Sequence, residues 1–211
     1  KENGPDMDYS ASSIMIDLGD RDILVAGQKS GSVYGIDPDT GKIIWSNSVS
    51  GGGTQGGIHF GMASEGKILY VPLNDMENTH DGKVWLNRKP GIHSIDTETG
   101  NILWSKITDK ECKEIDFNCD PGISAAVTAV PGAVIAGHLD GMIRIYDKED
   151  GDILWSFNSL GDYESISGTP ASGGSLSGSG PSVRNGFMAI NSGYGIYNHM
   201  PGNALLLFSI E

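Results

Sequence analysis

Short runs of alternating apolar and polar residues recur along the chain, and three of them share one layout. Residues 28–46, 89–105 and 140–156 each contain an apolar alternation, a polar turn that closes on glycine, and a second apolar run that ends in Trp-Ser. An alternation, a glycine-closed turn and a second alternation predict a β-hairpin. Three copies of one hairpin predict a repeat protein.

Further short apolar runs precede each hairpin, so each repeat has room for four strands. Four-stranded units in series are typical of β-propeller blades, because a single blade cannot bury both faces whereas stacked neighbours can. We therefore predict an all-β fold, a β-propeller of four-stranded antiparallel blades. The tryptophans that close the repeats, Trp45, Trp104 and Trp155, are expected to pack between adjacent blades.

The predicted blades lie at about 10–48, 56–108 and 122–159, with a partial fourth blade at about 165–211. The first strand of the fourth blade is predicted at residues 166–171, and no outer strand ending in Trp follows it. Three blades and most of a fourth are too few for a closed ring. We therefore expect the second half of a larger propeller, completed by blades of the same or another chain.

Composition changes this picture little. The chain has 31 glycines, which suits short strands and tight turns, and no stretch long and apolar enough to cross a membrane. Its formal net charge is −13 without a basic cluster, which argues against nucleic acid as a partner. The sequence starts without Met or a signal-peptide pattern, so it is expected to be a mature product or a fragment.

The two cysteines, Cys112 and Cys119, are separated by a spacing that suits neither a zinc nor a redox Cys-x-x-Cys motif. A disulfide that closes a small loop is favoured over half of a metal site. Such a disulfide implies an oxidising compartment.

Two linkers, residues 50–57 and 172–180, are rich in glycine and serine. They are either flexible surface loops or backbone that must approach a ligand closely. Residues 74–90 form a long polar excursion inside the second blade, which either covers a site or is a tolerated insertion.

The candidate chemistry begins with Asp6 and Asp8, which lie just before the first predicted strand. In an extended chain both point the same way and can face a funnel or a cation. From the spacing alone, an acidic loop is the favoured interpretation.

Lys29 lies in the turn between the middle strands of the first blade. A lone hairpin lysine is usually a solvated surface group, but Asp8 is close enough in sequence for the two to meet at one end of the blade. We expect the corresponding position to be occupied in the other blades by Asn87 or Arg88 and, nearby, Asp140.

His59 starts the predicted innermost strand of the second blade, an end that faces the central funnel. A single histidine is more often a hydrogen-bonded structural residue than a ligand. The remaining histidines show no spacing typical of a metal site: His80, His93, His138 and His199.

The repeat at residues 31–45, 91–104 and 141–155 resembles the quinoprotein repeat of pyrroloquinoline quinone (PQQ) dehydrogenases. Residues 3–12 and 24–45 look like the catalytic-aspartate segment of that family and the strand pair after it, and residues 56–75 look like its GG-x-[NH]-W segment. Residues 123–155 resemble a late blade, and residues 201–211 are similar to the end of polyvinyl-alcohol-dehydrogenase-like members.

The resemblance implies roles for four residues. Asp8 matches the general base beside the metal ion, and Lys29 matches the Lys or Arg that hydrogen-bonds the quinone oxygen. His59 matches a cofactor-lining position, and Phe60 stands there in place of the usual Trp. Ser10 occupies the position of a second Asp in lanthanide-dependent members, so Ca²⁺ is expected together with PQQ.

The resemblance implies PQQ-dependent oxidation of an alcohol, with electrons passed to a cytochrome c. It also implies that the chain is the C-terminal half of an eight-bladed catalytic propeller. Such a protein is expected in the periplasm or outside the cell. The other metal ligands and the PQQ-stacking residues would belong to earlier blades. PQQ-like repeats also build non-catalytic scaffolds such as outer-membrane assembly factors, so a cofactor-free binding or assembly scaffold is the alternative.

Overall fold

The regular structure is all β in the computed structural model, which describes residues 7–76, 87–109 and 119–210. No helix in these ranges is long and apolar enough to cross a membrane. The strands in chain order are β1 Ala11–Ser12, β2 Ile14–Asp17, β3 Asp22–Gly27, β4 Ser32–Ile36, β5 Ile43–Ser48, β6 Phe60–Gly61, β7 Ala63–Glu65, β8 Ile68–Leu73, β9 Gly91–Asp96, β10 Ile102–Ile107, β11 Ser124–Ala125, β12 Thr128–Val130, β13 Ala133–Gly137, β14 Met142–Asp147, β15 Ile153–Asn158, β16 Asp162–Glu164, β17 Pro170–Ser172, β18 Ser177–Gly178, β19 Ser182–Arg184, β20 Phe187–Ser192 and β21 Ala204–Ser209.

Three four-stranded antiparallel sheets follow one another, and they contain β2–β5, β7–β10 and β12–β15 in sequence order. A fourth sheet contains β19–β21, and no further strand pairs with β21 among the described residues. The predicted all-β fold with four-stranded antiparallel units is therefore confirmed.

The sheets are joined at their inner edges by four two-residue strands. β1 pairs in parallel with β6, and β11 pairs in parallel with β18. The amide of Val127 donates to the carbonyl of Gly61 at 3.1 Å and links the two pairs.

The apolar core consists of three clusters, each between two neighbouring sheets. The first cluster joins Val25 and Val33 of the first sheet to Leu69 and Val71 of the second, and all four are fully buried. Each sheet thus buries a face against the next, as the alternation in sequence requires.

Two tryptophans lock neighbouring sheets together, as predicted. Trp45 Nε1 donates to the carbonyl of Thr97 at 2.9 Å, and the indole lies against Gly100, where an added Cβ would be 2.5 Å from Cε3. Trp104 packs on Gly151 in the same manner. Glycine at the turn therefore leaves room for the ring of the preceding sheet.

Trp155 differs from the other two because the fourth sheet offers no equivalent turn in the described residues. It stacks on Phe157, makes an edge contact with Phe208, and remains 36% exposed. With neighbouring residues it lines an apolar groove of about 520 Å³ beside the end of β21.

The strand predicted at residues 166–171 is wrong. Ile166 is exposed in the turn of a separate hairpin formed by β16 and β17, and β19 begins the fourth sheet instead. The Gly/Ser-rich stretch contains β18, which is held by backbone hydrogen bonds to β11. Such a strand needs no apolar alternation, so the sequence pattern does not reveal it.

Candidate functional site

The segments that enter the four inner strands meet at one edge of the molecule. Because β1 and β6 run parallel, as do β11 and β18, their N-terminal ends lie on the same side. We call this edge the inner rim; it comprises residues 8–10, 57–59, 122–123 and 175–176.

Lys29 and Asp8 meet at the inner rim. Lys29 Nζ lies 3.0 Å from Asp8 Oδ2, and the Lys29 amide donates to the Asp8 carbonyl at 2.9 Å. The Lys29 side chain is 14% exposed, whereas that of Asp8 is 61% exposed. The predicted contact between Asp8 and Lys29 is confirmed. Lys29 fixes the position of the Asp8 carboxylate, which solvent or a small molecule can still reach.

The residue predicted to replace Lys29 in the second repeat is wrong. The Lys29 amide donates to a carbonyl just before an inner strand, and the amides of Asn74, at 3.0 Å, and Leu139, at 2.9 Å, do the same in the next two repeats. Asn74 thus takes the place expected for Asn87 or Arg88, whereas Leu139 lies next to Asp140, which was expected near this position. The excursion after β8 shifts the alignment by sequence. Lys29 is thus the charged member of three equivalent positions.

The Gly/Ser-rich residues 50–57 are largely buried and wrap the backbone of the Lys29 turn. A Cβ at Gly57 would lie 2.0 Å from the Lys29 carbonyl oxygen, and one at Gly52 would lie 2.4 Å from it. The amide of Gly53 donates to this oxygen at 3.0 Å. Residues 50–57 are therefore not a flexible surface loop, and the backbone that they approach closely is that of Lys29; approach to a ligand stays a prediction.

His59 lies beside this pair, just before β6, and is 7% exposed. Neither of its ring nitrogens has a hydrogen-bond partner among the described residues. Burial, and after it the positive charge of Lys29, lower the pKa of His59 to about 4. The ring is therefore neutral at pH 7 and offers one donor and one acceptor.

Phe60 follows His59 with a left-handed backbone, φ 59°, and its ring lies edge-on to the imidazole at 5.5 Å. It is 39% exposed. A non-glycine residue in this conformation is strained, and such strain is concentrated at functional sites.

The structure adds His199, which the sequence did not single out. His199 is 2% exposed, its ring nitrogens also have no partner within the described ranges, and burial lowers its pKa to about 4. The amide of Met200, the next residue, bonds Ser175 Oγ at the inner rim. Local spacing gives no signal for such a long-range meeting.

Two other buried histidines are structural. His138 bonds the carbonyl of Pro121 at 2.9 Å and the hydroxyl of Tyr146 at 3.0 Å. His93 bonds Ser105 and the backbone of Lys89. The structural interpretation of a lone histidine therefore holds for these two.

The described residues do not by themselves form a metal site. No group of three or more His, Cys, Asp or Glu in the described part of the chain is placed to hold an ion. Asp8 supplies one carboxylate, and Ser10 Oγ donates to the Ile58 carbonyl at 3.0 Å. Asp6 lies outside the described residues, as does Cys112, so the predicted disulfide with Cys119 stays a prediction.

Similar sequences are consistent with these observations. The PQQ_2 family model, described as outer membrane protein assembly factor BamB, matches residues 2–69 and 29–178. A polyvinylalcohol dehydrogenase of Pseudomonas sp. is 36% identical over 99% of this chain and 34% of its own length. One of Sphingopyxis sp. (strain 113P3) is 31% identical over 99% of this chain and 33% of its own. The chain spans about a third of these relatives.

Similar structures show the fold. A europium-containing methanol dehydrogenase superposes with a TM-score of 0.66 at 14% identity, over 99% of this chain and 49% of that one. BamB from Moraxella catarrhalis superposes with a TM-score of 0.58 at 17% identity, over 87% of this chain and 46% of that one.

Proposed function

The chain belongs to the PQQ-repeat β-propeller family, and from that membership we propose that it forms the C-terminal half of the catalytic propeller of a quinoprotein alcohol dehydrogenase. Both dehydrogenase relatives match over nearly the whole chain. The blades would span about 10–48, 56–108, 122–159 and 165–211, within an eight-bladed ring.

The observation that carries this proposal is the Asp8–Lys29 contact of 3.0 Å at the inner rim. A scaffold has no need of a mostly buried lysine that holds an exposed carboxylate. The two backbones are also hydrogen-bonded, so the carboxylate keeps a fixed place, as a general base requires.

In this proposal Asp8 accepts the hydroxyl proton of the alcohol. Lys29 orients the carboxylate through its hydrogen bond and places a positive charge where negative charge develops nearby. The buried glycine loop fixes the Lys29 backbone and keeps water from that side.

The described residues fit a quinone cofactor. PQQ, when bound, would accept the two electrons and the hydrogen that leave the alcohol carbon. Lys29, His59 and Phe60 would hold it, because Lys29 carries a positive charge, His59 has two ring nitrogens without a partner among the described residues, and Phe60 has an exposed ring beside the rim. A Ca²⁺ ion would need ligands besides Asp8 from the remaining blades.

The remaining parts of the proposal concern partners. Electrons would pass to a cytochrome c, and the protein would act in the periplasm or outside the cell. The substrate is an alcohol, and polyvinyl alcohol is the first to test because two relatives carry that name.

The test is reconstitution of the complete protein with PQQ and Ca²⁺. We expect the bound quinone to absorb light and its spectrum to change when polyvinyl alcohol or a small secondary alcohol is added. Asp8→Asn should keep PQQ bound and abolish turnover. Normal oxidation by this variant would show that Asp8 is not the base.

The alternative is a cofactor-free assembly scaffold, which the BamB description of the matching family model favours. A colourless protein that cannot be reconstituted with PQQ would support this scaffold and exclude the dehydrogenase.

A further inference from the structure

Asp8 and Lys29 form a charged contact at the inner rim, and two histidines lie at or next to the same rim. His59 belongs to the rim, and His199 precedes Met200, whose amide donates to Ser175 Oγ of the rim. Both histidines are more than nine-tenths buried, and none of their four ring nitrogens is hydrogen-bonded within the described chain. A buried polar atom without a partner costs about 1–3 kcal/mol, and native proteins keep few such atoms. A ligand bound at the inner rim would supply partners for all four.

Comparison among the repeats shows that His59 is unusual at its position. The β11–β18 register places Ser124 opposite Ser177, and the β1–β6 register places Ser10 opposite His59. The hydroxyls of Ser10 and Ser177 donate to backbone carbonyls of the neighbouring inner strand. Serine is therefore sufficient for the pairing of inner strands at this position, and the fold does not require the imidazole of His59.

The two histidines also have similar surroundings. Tyr197, like Phe60, is a half-exposed aromatic residue with a left-handed backbone, φ 54°, and its ring lies 6.2 Å from His199. Each histidine therefore lies beside a strained aromatic residue. Strain of this kind persists where the surrounding structure enforces it, chiefly at ligand sites.

We infer that His199, acting with His59, is a cofactor-binding residue whose ring nitrogens hydrogen-bond the carbonyl and carboxylate edge of the bound quinone. This inference rests on the proposed function. A neutral imidazole donates to such oxygens from one nitrogen and accepts from the other. The inference adds a contact from the loop between β20 and β21, a part of the chain to which the sequence assigned no role.

The test compares His199→Phe with His138→Phe in the complete protein. PQQ affinity is measured by isothermal titration calorimetry, and the melting temperature is measured without cofactor. His199→Phe should weaken PQQ binding tenfold or more, which corresponds to about 1.4 kcal/mol. Its cofactor-free melting temperature should be unchanged or higher, because an apolar ring replaces unpaired polar atoms.

The control should behave in the opposite way. His138→Phe leaves the Tyr146 hydroxyl and the Pro121 carbonyl without their partner, so it should lower the melting temperature and leave PQQ affinity within about twofold. His199→Gln, which keeps a donor and an acceptor, should recover part of the affinity lost in His199→Phe.

Wild-type affinity in both His199 variants would overturn the inference while leaving the dehydrogenase proposal intact. A lower melting temperature with unchanged PQQ affinity would show a structural His199 and would also overturn it. Failure of the wild-type protein to bind PQQ would overturn the proposed function and this inference together.

Discussion

Replacement of Lys29 by alanine should separate activity from stability. The ammonium group is 3.0 Å from Asp8 Oδ2 and mostly buried, so it acts on charge that develops at the inner rim. Removal of one such preorganised donor lowers kcat by about 10²–10³-fold. Because the Asp8 side is 61% exposed, solvent screens the ion pair, and the loss of stability should stay below about 1 kcal/mol.

The assay measures kcat and KM of the PQQ-loaded complete protein with polyvinyl alcohol and a small secondary alcohol, alongside thermal unfolding. Lys67→Ala is a matched control. Lys67 Nζ lies 2.9 Å from Glu98, a contact similar in length to that of Lys29, but the Lys67 side chain is 52% exposed and has no part in the proposed reaction. The control should change the rates by less than about twofold and leave the thermal unfolding transition where it is in the wild type.

Two results would refute this reasoning. Activity of Lys29→Ala within about twofold of wild type would remove Lys29 from the chemistry. A loss of more than about 3 kcal/mol of stability, with activity falling in proportion to unfolding, would make Lys29 a structural residue.

Three further predictions concern the scaffold around the site. Gly57→Ala places a Cβ 2.0 Å from the Lys29 carbonyl oxygen and should lower both the melting temperature and the affinity for PQQ. Gly66 also has a left-handed backbone, but a Cβ there meets open space, so Gly66→Ala should cost only about 1–2 kcal/mol of stability. Equal effects of the two substitutions would contradict the close approach. Trp45→Phe leaves a buried carbonyl unpaired and should cost about 1–3 kcal/mol in urea unfolding; an unchanged midpoint would contradict this. Burial lowers the pKa of His138 to about 4, so below about pH 6.5 the unfolded chain binds a proton that the folded chain does not. The free energy of unfolding should therefore fall by about 3 kcal/mol between pH 6.5 and pH 4. His138→Gln should make this fall with pH smaller, and parallel curves for the variant and the wild type would disprove it.

The fold was accessible from sequence wherever burial follows a period. Strands β4, β9 and β14 lie inside the predicted hairpins at residues 28–46, 89–105 and 140–156, and β4 alternates between buried and partly buried residues. The strand predicted at residues 166–171 failed because the inner strand of that unit, β18, is short, rich in small polar residues and held by its backbone.

The candidate site divides in the same way. The contact between Asp8 and Lys29 is predictable from the sequence, because a single hairpin, β2 and β3, lies between the two residues and fixes their separation. The counterpart of Lys29 in the second repeat was misplaced because residues 74–90 break the repeat spacing, and only the backbone hydrogen bonds of Asn74 and Leu139 restore it.

The sequence by itself determined the repeat, the all-β class and the local Asp8–Lys29 pair, because each depends on residues within one or two strands. The recurrence of Trp at each repeat end also predicted that Trp45 and Trp104 pack between sheets. Only the tertiary structure brought the loop of His199 to the inner rim and wrapped a glycine-rich linker around the backbone of Lys29. Those contacts depend on how parallel inner strands from different sheets share one rim. That arrangement is a property of packing between repeats, which no pattern within a repeat encodes.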